Sequence, residues 1–279
     1  LNPGDEVIVS APCWTNYIQQ IKMCDGVPVL VPVTEENDFM YDVDDLKNSI
    51  TAKAKAILIN SPCNPTGGML NLKTLEGIAK LAKKHNLLVI SDEVYQHIVF
   101  DGNKHISIST IEGMKEHTVI IDSWSKAYAM TGWRVGYAAG PEWLVSNITK
   151  LQENVVACAA TPCQYAALEA LTGSQDYVYY MVSQYKERRD IIVKKLNKIP
   201  GISCKKPKGT FYAFANIKGT GMSSDDFALK LLEEKQVVVV PGTAFSEFGE
   251  GFVRISFATS KEQIIKGIEL IKEFVIENE

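Results

Sequence analysis

Five short runs of aliphatic residues punctuate the first half of the chain, at 6–10 (EVIVS), 27–33 (VPVLVPV), 56–60 (AILIN), 87–91 (LLVIS) and 118–122 (TVIID). Each is too short for a helix of that apolarity and is rich in Ile and Val, so each reads as a buried strand. Between two of them, Leu72–His85 sets Leu75, Ile78, Ala79 and Ala82 on one helical face. Asn71 stands where an N-cap belongs, and lysines gather toward the far end, where the helix dipole favours cations. Strands alternating with helices predict an α/β domain of three layers, a mostly parallel sheet covered by helices.

The pattern changes after about residue 150. Residues 151–196 read as almost wholly helical with a break at Gly173, and Asp176–Leu196 is long enough to bridge two domains. Beyond Pro200-Gly201 the elements mix: strands at 210–216, 237–240 and 252–257, and helices at Ser224–Lys235 and Lys261–Glu277. The expected organisation is a large domain over residues 1–173 and a smaller α+β C-terminal domain over 174–279 that includes the long helix.

The chain of 279 residues is 46% apolar and 22% charged with net charge −4, a globular composition with length for a sizeable core. Its acidic balance and isolated lysine pairs argue against nucleic-acid binding. No run approaches the roughly 18–20 apolar residues of a membrane span. Six cysteines without C-x-x-C spacing indicate reduced thiols and a cytoplasmic setting, and four histidines without ligand spacing predict no metal site. The opening Leu1-Asn2-Pro3-Gly4-Asp5 lacks both an initiating Met and a leader, so a longer parent protein is expected.

The residues that carry chemistry follow the predicted strands, where open α/β sheets bind ligands. After 56–60 comes Ser61-Pro62-Cys63-Asn64-Pro65-Thr66-Gly67, either an ordinary turn or a rigid loop whose Asn64 amide can donate and accept. After 87–91 come Asp92, Glu93 and Tyr95. Acids there are costly to bury unpaired. Asp92 is either a helix N-cap or the partner of a cationic ligand group such as a pyridinium nitrogen, with Tyr95 reaching the same ligand's phenolic oxygen. After 118–122 comes Ser123-Trp124-Ser125-Lys126, and eight residues later Arg134. Partial burial would depress the Lys126 pKa toward the neutral amine of carbonyl chemistry. The planar fork of Arg134 suits a phosphate, with Ser123 and Ser125 as hydroxyl donors. A solvated Lys–Arg pair is the plain alternative.

Taken in order, Asn64-Pro65-Thr66-Gly67, Asp92-Glu93-x-Tyr95, Ser123-x-Ser125-Lys126 and Gly132-x-Arg134-x-Gly136 resemble the motif set of class I/II aminotransferases of fold type I. Pro207-Lys208-Gly209-Thr210-Phe211-Tyr212, Val240-Pro241-Gly242-Thr243-x-Phe245 and Phe252-Val253-Arg254-Ile255-Ser256 resemble that family's C-terminal domain. The resemblance implies pyridoxal 5'-phosphate as cofactor. Lys126 is then the lysine that binds the cofactor's aldehyde carbon and moves the substrate proton. Asp92 pairs with the ring nitrogen, Tyr95 and Asn64 hold O3', Trp14 stacks on the ring, and Ser123, Ser125 and Arg134 bind phosphate. Arg254 forks onto the substrate α-carboxylate, beside Asn64. The implied reaction moves an amino group from an aspartate-like, aromatic or neutral amino acid to a 2-oxo acid such as 2-oxoglutarate, in a homodimer.

The family's phosphate-cradling loop, its N-terminal arm and the basic residue that selects a distal carboxylate have no counterpart in these 279 residues. Two alternatives therefore stand beside transamination: a carbon–sulfur β-lyase on the same scaffold, and a non-catalytic aminotransferase-like sensor module.

Overall fold

A computed structural model of the chain describes residues 1–278. Six strands form the larger sheet: β1 (Glu6–Ala11), β2 (Val27–Pro32), β3 (Ala54–Asn60), β4 (Leu88–Asp92), β5 (Thr118–Ser123) and β6 (Gly136–Ala139). Their order is β2-β1-β3-β4-β5-β6, parallel throughout except for β6, which runs antiparallel to β5. All five apolar runs are strands, and the fold is the expected α/β class.

Alternation along each strand divides the core between two faces. Val7, Val9, Ala56 and Leu58 pack with Tyr17 and Ile21 of helix α1 (Thr15–Met23). Ile8, Ile57, Ile59 and Val89 face the other way, onto Leu75, Ile78, Ala79 and Ala82 of α3 (Leu72–His85), which follows the short α2 (Val43–Asn48). The predicted face of α3 is the buried one. Asn71 caps it, with Oδ1 accepting from the Thr74 N–H at 2.9 Å. α1, α2 and β6 carry no periodicity long enough to stand out in sequence.

The second half corrects several boundaries. After α4 (Trp124–Ala127), α5 (Glu142–Val155) begins nine residues before the predicted 151, and a break at 156–160 separates it from α6 (Thr161–Thr172). Ala157 adopts φ +70 there, and the segment's small residues gave no sign of the turn. α7 (Asp176–Leu196), α8 (Ser224–Lys235) and α9 (Lys261–Glu277) keep their predicted bounds. Four antiparallel strands, β7 (Ser203–Cys204), β8 (Tyr212–Asn216), β9 (Val240–Pro241) and β10 (Phe252–Ser256), order as β7-β8-β10-β9. Residues 237–239 are apolar but unpaired, because β10 reaches only Val240 and Pro241.

One face of this smaller sheet, with Ala213, Ala215 and Val253, packs on α7, α8 and α9. The opposite face carries Phe214 and Phe252, stacked at 4.8 Å, into the core beneath the larger sheet. A strap at 207–210 completes the join. Lys208 N–H donates to Gly67 O at 2.9 Å, Phe100 N–H to Lys208 O at 3.0 Å, and Thr210 N–H to Ile98 O at 2.9 Å. Arg189 of α7 is fully buried behind the strap. It forks onto Asp101 at 2.8 and 3.0 Å, and its guanidinium lies 4.6 Å from the Phe100 ring.

Candidate active site

Parallel registry brings three strand ends together. Asn60 pairs with Asp92, and Asp92 with Ile121, so the loops leaving β3, β4 and β5 emerge side by side. Asn60 ties the first two: its Nδ2 donates to Asp92 O at 3.1 Å and its Oδ1 accepts from the Asn64 N–H at 2.9 Å. The 61–67 loop is thus held to the neighbouring strand, and Asn64 is buried.

Asp92 is 9% exposed. Its Oδ2 accepts from the Tyr17 hydroxyl and its Oδ1 from the Val94 N–H at 3.2 Å. Burial pushes its carboxyl above the usual carboxylate range, with Asp122 and Glu93 adding to the rise and the two hydrogen bonds opposing it. No helix follows: residues 93–97 form turns, so the N-cap alternative falls away. Glu93 points elsewhere, to His105 Nε2 at 2.9 Å, Ser91 Oγ at 2.8 Å and Ser107 Oγ at 2.7 Å.

Lys126 lies on α4, a single turn capped by Ser123, whose Oγ accepts from the Ser125 N–H at 3.3 Å. Its Nζ is 5.9 Å from the Tyr95 ring and 6.0 Å from the Phe211 ring. Burial lowers its pKa, Asp92 opposes this, and the charges of Arg134 and Arg254 lower it further. Arg134 is exposed, in the left-handed region at φ +54, with Nη1 donating to Thr131 O at 2.7 Å. Ser123 and Ser125 are half-buried, and Ser123 pairs with Gly136, two residues beyond Arg134.

Tyr95 is buried, which pushes its hydroxyl pKa up, and its Oη donates to Tyr212 Oη at 3.3 Å. Trp14 is half-buried at the start of α1 and meets the edge of Tyr17 at 5.2 Å, so it stands beside the tyrosine that reaches Asp92. Arg254 lies between two rings, 4.3 Å from Tyr212 and 4.7 Å from Phe245. Its Nη1 donates to Asn64 Oδ1 at 2.8 Å, while its Nε is buried without a partner. Burial lowers the pKa of this guanidinium, against the pull of Tyr212 and Tyr95.

Contacts, a shared bond or mutual charge effects link Asp92, Tyr95, Lys126, Arg134, Asn64 and Arg254. Tyr17, Asn60, Phe211 and Tyr212 join them unannounced. The only sequence signal for Tyr17 is its place one helical turn after Trp14. Among the described residues no group of three or more His, Cys, Asp or Glu is placed to hold a metal ion, and no helix is long and apolar enough to cross a membrane.

The arrangement combines an amine of lowered pKa, a buried acid and a guanidinium with an unpaired N–H, which suits amine–carbonyl chemistry on a carboxylate-bearing substrate. Residues 1–271 match the family model for aminotransferase class I and II. The chain is 44% identical over 279 residues to an aspartate aminotransferase of Pyrococcus abyssi, covering 99% of this chain and 72% of that protein. It is 42% identical to an aromatic-amino-acid aminotransferase 2 of Thermococcus litoralis, again over 99% and 72%. A crystal structure of an aromatic aminotransferase from Pyrococcus horikoshii superposes with TM-score 0.97 at 42% identity, covering 99% of this chain and 74% of that one. The chain belongs to the class I and II aminotransferases and is an amino acid aminotransferase.

Proposed function

We propose that the residues around Lys126 hold pyridoxal 5'-phosphate, the cofactor on which this family depends, and serve transfer of an amino group between an amino acid and a 2-oxo acid. When bound, that group supplies an aldehyde carbon for the incoming amine and a ring that draws off the charge left at Cα. The observation that carries this reading is Asp92, a carboxyl buried at a strand end with no cation bonded to it. Such an acid is stabilised by a cationic partner, and a protonated ring nitrogen is one.

In this reading Asp92 keeps the ring nitrogen protonated. Lys126 binds the aldehyde carbon and, once displaced, carries the proton between Cα and C4', a role its lowered pKa suits. Asn64 turns Oδ1 to Arg254, which leaves its Nδ2 to donate to O3' with Tyr95. Trp14 flanks the ring. Ser123, Ser125 and Arg134 bind the phosphate. Arg254, held by Asn64 and two rings, presents its unpartnered Nε edge to the α-carboxylate, a fork that lysine cannot reproduce.

The donor is aspartate-like, aromatic or neutral, with 2-oxoglutarate as an acceptor. The near-equal likeness to aspartate and aromatic enzymes supports that breadth. A homodimer fits the surface: α5 buries no residue and exposes Trp143, Leu151 and Val155, while α6 exposes Tyr165, Leu168 and Leu171. Six free thiols fit a cytoplasmic setting. The division into 1–173 and 174–279 is supported by the separation of the strands into two sheets.

The test is spectroscopic. Full-length protein mixed with pyridoxal 5'-phosphate is expected to turn yellow, to change absorbance with pH and with amino donors, and to lose both responses in Lys126→Ala. A colourless full-length protein, or a Lys126→Ala variant that transfers amino groups at the wild-type rate, overturns the reading.

A further inference from the structure

Tyr212 opens β8, two residues beyond the strap. It pairs with Ser256 in the register that sets Arg254 against Phe214, so it lies diagonal to Arg254 on the face that looks toward the larger sheet. Its backbone is fixed by the Tyr212 N–H donating to Thr210 Oγ1 at 3.1 Å. One side chain therefore meets two site residues by two different chemistries. Its ring face lies 4.3 Å from the Arg254 guanidinium, and its hydroxyl accepts from Tyr95 at 3.3 Å.

We propose that Tyr212 is a positioning residue that couples substrate binding to the cofactor end of the site. Its ring and Phe245 clamp Arg254 edge-outward, and its hydroxyl holds the Tyr95 phenol. The inference rests on the reading of Arg254 as the carboxylate fork and Tyr95 as a cofactor contact. A tyrosine that only fills core space needs no partner in the site; the hydroxyl of this one accepts from a second tyrosine, which lies against Lys126. A second ring, Phe245, lies 4.7 Å from the Arg254 guanidinium, and Asn64 takes Nη1, so the guanidinium is held by three neighbours. A fork so fixed loses less freedom on binding a carboxylate.

The two chemistries are separable by substitution. Tyr212→Phe keeps the ring and deletes the hydroxyl. KM for amino and oxo acids is expected to stay within about twofold, because the cation–π contact survives. Tyr95 then gives its hydrogen undivided to the cofactor's oxygen. The pH at which the loaded full-length enzyme changes its visible absorbance is expected to move down by about half a unit. Tyr212→Leu deletes both contacts. The inhibition constant for succinate, a carboxylate with no amino group to react, is expected to rise about tenfold with both KM values. Melting temperatures of both variants report folding, and Tyr212→Phe carries the test if Tyr212→Leu does not fold. Wild-type pH response in Tyr212→Phe, or wild-type succinate affinity in folded Tyr212→Leu, overturns the proposal. Arg254→Lys is the control: if it leaves succinate binding unchanged, the carboxylate reading of Arg254 fails. If only the Tyr212 variants leave it unchanged, the coupling alone fails.

Discussion

The Arg254 guanidinium donates through Nη1 to Asn64 Oδ1 at 2.8 Å, joining β10 to the loop after β3. The bond fixes one edge of a fork whose Nε has no partner of its own. Arg254→Lys keeps the charge but loses the planar pair of donors. KM for amino acid and 2-oxo acid is expected to rise by about thirtyfold each, the cost of losing one buried charged contact. Steady-state kinetics with each substrate varied in turn checks it; an unchanged KM for either removes Arg254 from the carboxylate site.

Asp92 makes the cofactor-free chain sensitive to pH. Burial holds its carboxyl above the ordinary value of about 3.9, so the folded chain binds this proton more tightly than the unfolded one. Stability therefore falls as pH rises from the ordinary value to the raised one, and stays reduced above it. Asp92→Asn removes that cost, and its Nδ2 can donate to Tyr17 in return. The cofactor-free variant is expected to melt about 2–4 °C higher than wild type at pH 7, with the gap closing below about pH 4, while transamination is lost. Melting curves at the two pH values decide it.

Glu93 behaves in the opposite sense. Burial acts to raise its carboxyl, but bonds from His105, Ser107 and Ser91 outweigh that and hold it below its usual range. The stability this contributes is complete above the unfolded value of about 4.3 and lost as pH falls through the lowered folded value. His105→Ala is expected to cost about 2 kcal/mol at pH 7, a hydrogen bond to a charged group, and less in acid. Urea denaturation at neutral and acid pH measures both; an equal loss at the two would contradict the assignment.

Gly67 adopts φ +67, and a Cβ there would lie 2.3 Å from Pro207 Cβ of the strap. Gly67→Ala therefore meets backbone strain and a clash together, with an expected loss of about 2 kcal/mol. Because Gly67 O accepts from Lys208 and Gly209, displacement should also loosen the Asn64 loop and raise KM. Urea denaturation and kinetics on one preparation test both effects.

Legibility differed by element for physical reasons. α3, α8 and α9 each bury a stripe at helical spacing and begin at a polar cap, Asn71, Ser223 and Ser260, so their bounds show in sequence. α5 starts at Glu142 behind Pro141 with no side-chain cap, and its apolar stripe of Leu144, Ile148, Leu151 and Val155 is not buried in the chain, so its start was missed. β6 is four small or exposed residues, and only its pairing with β5 makes it a strand. The same holds for the site. Lys126, Asp92, Tyr95, Asn64, Arg134 and Arg254 stand in recognisable local motifs. Tyr17 meets the site through Asp92, 75 residues away, and Tyr212 through Tyr95 and Arg254, 117 and 42 residues away, so no local pattern joins either to it.

The sequence by itself determined the five apolar strands and the helices α3, α7, α8 and α9, because these are written in local periodicity, and it set Lys126 among the motifs that point to its chemistry. It singled out Asp92 over Glu93 through the motif, yet two acids side by side at the end of one apolar run carry no local physical difference that explains the choice. Tertiary structure decided that. Successive residues leave a strand on opposite faces, and the registry of β3, β4 and β5 determines which of those faces is the site. Asp92 meets Tyr17 within reach of Lys126's charge, whereas Glu93 is sealed against His105 and two serines.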